Sequence, residues 1–373
     1  MNQTQKNESV LVAMSGGVDS SVTALILREA GYNVKGAILR MHDAEMSAED
    51  ITNGKLPQSI WYAREVARKL RIDFSIVDVR EEFERLVMTY FTDSYKKGIT
   101  PNPCVFCNRH VKFPQMFKAA DELGCTKVAS GHYVIIEYSE AVGRYIMRKS
   151  RDRSKDQSYM LYRLSQEDLS RLLTPLGNYE KVQIRQIAAD AGLKNAKAPD
   201  SQDVCFIPDK DYGAFVESKI LSSDKNADPE TIIGLKHGNF VDLSGRVLGE
   251  HKGLVHYTIG QRKGLGLSLP ESLYVCEKRI DTNEVVLCPN EKLFQDTVRA
   301  GRVNFVSIDH FPGNKMRVSA KIRYSQNENP GTASILPDGT LEVKFDEPVR
   351  AATPGQSMVL YEDDMVLAGG IIL

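Results

Sequence analysis

Residues 9–20 read SVLVAMSGGVDS, and the fold follows from this stretch. Ser9 to Ser15 is an apolar, β-rich run that ends in the Gly16-Gly17 pair. Ser20 to Ala30 (SSVTALILREA) reads as a helix, with Gly31 as its stop. A strand, a glycine-rich loop and a helix in that order make an anion cradle. The glycines let backbone N–H groups approach closely, and the helix adds its positive end. Ser15 and Ser20 can donate hydroxyl hydrogen bonds to phosphate oxygens, and Asp19 can hold Mg²⁺ or orient the ligand. The loop has neither the GxxxxGK[ST] nor the GxGxxG pattern, which argues against a Walker loop and a dinucleotide fold.

The same grammar continues outward. Val34 to Leu39, Phe74 to Val79 and Lys127 to Tyr133 read as further strands, and Pro57 to Leu70, Glu81 to Lys96 and Lys112 to Leu123 as helices. Such alternation predicts a parallel sheet covered on both faces, with ligands at the carboxyl ends of its strands. Those ends carry SGGVDS and, at residues 130–133, SGHY. Two more helical stretches follow, Gln166 to Leu173 and Tyr179 to Ala191. After residue 208 short strands alternate with turn-forming residues, as in Leu273 to Ile280 and Met358 to Tyr361. The expected fold is therefore an α/β parallel-sheet domain over residues 1–208, a small β-rich module over 209–275 and a C-terminal β-barrel over 276–373.

Composition sets outer limits. The 373 residues are 42% hydrophobic and 26% charged with net charge −1, which excludes a disordered chain and a protein coated in positive charge. No stretch approaches the roughly 20 apolar residues of a membrane span. The N-terminal apolar run, Val10 to Met14, is too short for a signal peptide, so a cytoplasmic enzyme with reduced thiols is expected. The six cysteines are too sparse for a disulfide scaffold. Cys125, Cys276 and Cys288 fall in or beside expected strands and read as core. Cys104 and Cys107 lie in the proline-rigidified TPNPCVFCNR stretch, with the first helical turn expected near Asn108. Beside Arg109 and His110, a thiol there is expected to have a lowered pKa. Cys205 lies in a polar stretch, DSQDVCFI.

The SGGVDS loop resembles the pyrophosphate loop of the ATP pyrophosphatase (PP-loop) enzymes. With TPNPCVFCNRHVKF (100–113), SGHYV (130–134), KDQSYMLYRL (155–164), DVCFI (203–207), HKGLVHYTIGQRKGLG (251–266), KIRYSQ (321–326) and TPGQSMVLY (353–361), the chain is similar to the bacterial tRNA-specific 2-thiouridylases in order along nearly its whole length. The resemblance implies that ATP adenylates the C2 oxygen of the wobble uridine of tRNA. Sulfur then displaces AMP. It implies Cys107 as nucleophile, Cys205 as persulfide carrier and a sulfur-relay protein as donor. It implies ATP contacts at Ala13, Met14, Ser15, Gly16, Gly17, Val18, Asp19, Ser20, Leu39 and Gly131, with Mg²⁺. Contacts to tRNA fall on Asn102, Pro103, Cys104, His132, Lys155, Asp156, Gln157, Arg323, Tyr324 and Gln356.

One departure matters: Cys104 stands where the family pattern has Asp. Cys104, Cys107 and Cys205 would suit a [4Fe–4S] cluster with one open iron position, so a cluster-dependent sulfur route stands beside the persulfide route. An amide-forming PP-loop synthetase is the competing reading, and it leaves the cysteines idle. The chain is expected to act as a monomer away from membranes. Two stretches suggest RNA contact. Residues 144–157 (RYIMRKSRDRSKDQ) carry six basic residues against Asp152 and Asp156. Met316 to Tyr324 alternates apolar residues with Arg317, Ser319, Lys321 and Arg323.

Overall fold

The computed structural model describes residues 8–44, 46–196, 203–223, 228–268 and 270–373. Five parallel strands form the first sheet, in the order 74–78, 33–40, 9–13, 127–129, 172–173. The central strand, Ser9–Ala13, pairs Val10 with Val34 on one side and with Lys127 on the other. Its alternate side chains divide two cores. Val10 and Val12 pack with Val22 and Leu25 of the helix Val18–Glu29 and with Ile60, Ala63 and Val66 of the helix Gln58–Leu70. Leu11 faces the other side, against Phe113, Met116 and Ala120 of the helix Phe113–Glu122. This is the near-continuous hydrophobic strand that a doubly covered parallel sheet requires.

A four-stranded sheet takes Tyr274–Arg279, Glu284–Cys288, Gly238–Val241 and Val247–His251 in that order, so it extends on both sides of residue 275. The barrel runs through strands 294–305, 341–350, 329–335, 316–321, 357–362 and 365–372, and closes by pairing the last with the first. The strand expected over Lys127 to Tyr133 ends at Ala129. After the SGHY turn the chain leaves the parallel sheet and forms a hairpin, Val134–Ser139 with Arg144–Lys149. That hairpin joins the barrel sheet through Met365 opposite Arg148. The basic stretch 144–157 therefore begins as a strand rather than a free loop. Cys125 and Cys288 are buried, as core cysteines should be, and Cys276 is half-buried.

Among the described residues, no helix is long and apolar enough to cross a membrane.

Candidate active site

The phosphate loop is built by close approach. Gly16 has φ +79°, and a Cβ there would sit 2.4 Å from the Ser59 carbonyl oxygen at the start of the helix Gln58–Leu70. Ser20 Oγ accepts from the Ser15 amide at 3.0 Å and lies 3.2 Å from the Ser15 hydroxyl, which closes the loop on itself. Buried Asn195 donates to the Gly16 carbonyl at 2.8 Å and to Ser21 Oγ at 2.9 Å. Gly131 lets the SGHY turn lie against the helix start, since a Cβ there would be 2.9 Å from the Ser20 amide nitrogen. The Met14 amide donates to the Ala37 carbonyl at 2.8 Å, and half-buried Leu39 lies toward the carboxyl end of the adjacent strand. The candidate ATP residues thus share one end of the sheet. Gly16→Ala is expected to cost about 2 kcal/mol or more, because the left-handed backbone and a backbone carbonyl both oppose a methyl group. Denaturant unfolding with an unshifted midpoint would contradict that packing.

Asp19 is held on both oxygens. Lys181 Nζ donates to them at 2.7 and 2.8 Å, and the Tyr133 hydroxyl donates at 2.8 Å. Lys181 is buried and lies 5.5 Å from the centroid of the Tyr133 ring. The Tyr133 amide in turn donates to Gln157 Oε1 at 2.9 Å. As placed, the Asp19 carboxylate is taken up by these partners and does not fit a metal ligand. Sequence reasoning missed Lys181 and Asn195. Lys181 had a signal: it opens a helix, Lys181–Asp190, at the end where a cation is unfavourable.

The thiols come together around a different turn. A helix begins five residues earlier than expected, at Pro103, capped by Asn102, whose side chain accepts from the Val105 amide at 3.2 Å. It runs only to Cys107, and Asn108–Lys112 continues as a π-turn. The wider turn sets Lys112 beside Cys107, and both its charge and its backbone N–H favour the thiolate. The Lys112 charge acts on all three thiols, Cys104, Cys107 and Cys205, and Cys205 in turn feels Cys104 and Cys107. The expected lowering of the thiol pKa is overturned. Burial pushes Cys107 up to about 11 and Cys205 up to about 12, outweighing Lys112. Cys205 presents surface to solvent. Arg109 does not help: it turns away to Asp168 at 2.6 Å.

Among the described residues, no three His, Cys, Asp or Glu side chains are grouped to hold a metal ion. The three thiols share one electrostatic neighbourhood without the convergence a cluster needs, so no step is derived through one. Below its pKa a thiol reacts in proportion to its thiolate fraction. Lys112→Gln should therefore slow iodoacetamide labelling of Cys107 near pH 8 by about tenfold, because it removes the cation that offsets burial. An unchanged rate in peptide mapping would dismiss that electrostatic role.

The remaining sequence candidates divide. Gln356 donates to the Thr100 and Pro101 carbonyls at 2.9 and 3.2 Å and so docks the barrel on the TPNPC loop, where Pro103 is buried. Arg323 donates to the Ile259 and Ala351 carbonyls, both at 2.9 Å, and to Thr353 Oγ1; it ties the middle module to the barrel. Asp156 accepts from the Ser150 amide and the Ser158 hydroxyl. Tyr324 is exposed, its hydroxyl meets the Asp156 carbonyl at 3.4 Å, and it feels both Lys155 and Cys104. Tyr324 thus joins the barrel to the segment that carries Lys155 and Asp156.

His132, whose Nδ1 meets the Ser130 hydroxyl, is pushed down to about 3, first by burial and then by Lys112, which favours the neutral ring. The basic stretch is largely answered within the protein. Arg148 pairs with Glu137 and Asp364, Lys149 with Glu328, Arg151 with Glu180 and Arg153 with Asp364. In the strand Met316–Lys321, Arg317 pairs with Asp346, and Lys321 lies over the Tyr159 and Tyr324 rings.

Residues 8–209 match the tRNA methyl transferase HUP domain, residues 230–289 the tRNA methyl transferase PRC-barrel domain, and residues 295–372 the aminomethyltransferase beta-barrel domain. The chain is 45% identical over 370 residues to the tRNA-specific 2-thiouridylase MnmA 1 of Thermoanaerobacter pseudethanolicus, covering 99% of this chain and 98% of that one. It is 43% identical over 367 residues to the tRNA-specific 2-thiouridylase MnmA of Clostridioides difficile, covering 98% of each. Among solved structures, the U34-tRNA thiolase NcsA of Methanococcus maripaludis, solved with its [4Fe-4S] cluster, is 17% identical with a TM-score of 0.33, covering 61% of this chain and 70% of that one. With full-length identity of this order to named relatives and a matching HUP domain, the chain belongs to the tRNA-specific 2-thiouridylase family.

Proposed function

We propose that the protein uses ATP to replace the C2 oxygen of the wobble uridine of tRNA with sulfur, acting in the reducing cytoplasm. One observation supports the reading: the His132 ring lies 5.8 Å from that of Phe113, which follows the Asn108–Lys112 turn after Cys107, while Gly131 beside it packs on the phosphate loop. The free cysteines supply the second half of the reaction.

A uridine oxygen is a poor leaving group. Attack of that oxygen on the α-phosphorus of ATP expels pyrophosphate and makes it a good one. Backbone amides of the Ser15–Ser20 loop and the helix end behind them would receive the phosphates. Mg²⁺ enters this reading with the nucleotide, not through Asp19. Cys205, reached by a relay protein at its exposed surface, would carry a persulfide. Its outer sulfur attacks C2 and AMP leaves. The Cys107 thiolate then attacks the inner sulfur of Cys205, which frees the 2-thiouridine and leaves a Cys107–Cys205 disulfide. An external thiol must reduce that disulfide between turnovers. Asn102, Cys104, Lys155 and Tyr324 line the approach for the flipped base.

Mass spectrometry of anticodon nucleosides tests this directly, after incubating pure protein with tRNA, ATP-Mg²⁺ and a persulfide donor. 2-Thiouridine should appear, with pyrophosphate release dependent on tRNA and not on small carboxylates. Iron-free, colourless protein should retain the activity. Activity that requires iron would overturn the persulfide route.

A further inference from the structure

Within residues 144–157, Arg148, Lys149, Arg151 and Arg153 pair with Glu137, Glu180, Glu328 and Asp364. A second basic group, invisible as a run in the sequence, contains two arginines that are not paired among the described residues. Arg109 and His110 lie just past Cys107, Arg163 follows the helix Ser158–Leu161, and Arg302 sits in the barrel strand Phe294–Phe305. They converge. Burial lowers the Arg163 pKa, and Arg302 and Arg109 lower it further; His110 is lowered by burial and by the same three arginines. Arg109 has Asp168 as a partner. The side chains of Arg163 and Arg302 have no hydrogen bond or ion pair among the described residues.

Two further features mark the place. Arg302 adopts a left-handed backbone, φ +51°, where the strand register breaks between Gly301 and Asn304. An arginine held there at a bulge is strain retained on the surface. Beside the cluster Tyr90 stacks on Phe106 at 4.0 Å and 11°, and Phe106 meets His110 at 4.3 Å. Arg302 and His110 are exposed, and Arg163, Tyr90 and Phe106 are half-buried.

We propose that this face binds backbone phosphates of the tRNA outside the approach for the target base. Unanswered guanidinium groups next to flat, partly exposed rings are the combination that RNA uses, since one meets phosphate and the other stacks on bases. An acidic protein would need the cations and have no use for the stack. The inference rests on tRNA being the substrate. Its consequence is that the helix bearing Cys104 and Cys107 leads directly into a second RNA contact, which fixes how the anticodon arm is presented.

The test is binding of an unmodified full-length tRNA transcript by fluorescence anisotropy over a range of KCl concentrations. It compares wild type, Arg302→Glu, and the double variant Arg163→Gln/Arg302→Glu. The double variant is expected to bind at least about tenfold more weakly near 0.1 M salt, and its log K against log salt slope should be shallower by about 1 to 2, as loss of two phosphate contacts requires. Arg302→Glu, a surface change that leaves Arg163 in place, should give about half the slope change. Unchanged affinity and slope in both folded variants would overturn the inference. So would unchanged RNA binding with impaired sulfur delivery from a donor protein, which would make the face a protein contact. Wild-type protein that binds no tRNA would instead remove the function proposed above.

Discussion

Cys107→Ser is expected to stop release of 2-thiouridine in the first turnover by at least about a thousandfold, because a hydroxyl cannot take over thiol–disulfide exchange. Pyrophosphate release should continue, since Cys107 has no part in activating the oxygen. The sulfur already passed to C2 would then remain bonded to Cys205. A covalent tRNA–protein adduct should accumulate in the absence of added thiols and dissolve on adding dithiothreitol. Denaturing gel electrophoresis after a single turnover reads this directly. Free 2-thiouridine from the variant at the wild-type rate, without reductant, would show that another group resolves the intermediate. Cys104 is the neighbour that would be implicated, since it shares the electrostatic environment of the pair.

The second large effect is expected at the nucleotide. Asp19→Ala removes the acceptor of both Lys181 and the Tyr133 hydroxyl. The Lys181 ammonium is then left buried without its counter-charge, which costs about 3 kcal/mol for a fully buried pair and less here because Asp19 is 30% exposed. Lys181 must reorient, and the loop behind Ser15 to Ser20 loses its brace. Tyr133 also links, through Gln157, to the segment that carries the candidate tRNA residues Lys155 and Asp156. Adenylation should fall by about 10² to 10³. Asp19→Asn keeps the shape without the charge and should fall between. Pyrophosphate release by the alanine variant at wild-type rate would remove Asp19 from the ATP site.

How much of this was legible in the sequence depends on range. The strand–loop–helix at 9–31 was readable because apolar periodicity, two glycines and a terminating glycine lie within one short window. The candidate ATP residues lie at one sheet end, where that local reading expected them. The hairpin 134–149 was not readable, since its partner, Met365, lies more than two hundred residues away and nothing in either strand names the other. The same limit hid the partners of the basic stretch: its net charge was counted locally, while Glu328 and Asp364 pair with Lys149 and Arg148 from the far end of the chain. The thiol pKa failed for a different reason. The helix starts at Pro103 rather than near Asn108, so Cys107 closes the first turns, goes into the core and turns Arg109 outward. Motif spacing located the thiols, but burial sets their chemistry. Lys112 stood inside a quoted motif, and only the π-turn after Cys107 gave it a purpose.

The hairpin also bears on how such a chain can be divided. Val134–Ser139 and Arg144–Lys149 belong by connectivity to the ATP-binding half, yet the edge of Arg144–Lys149 is met by the last strand of the barrel. Cutting the polypeptide ahead of residue 294 would strip that cover and leave a bare row of amide and carbonyl groups, an invitation to self-association. The catalytic half is therefore not a freely transplantable cassette: whatever lineage borrows it must bring the distal half along or supply a substitute for that seam.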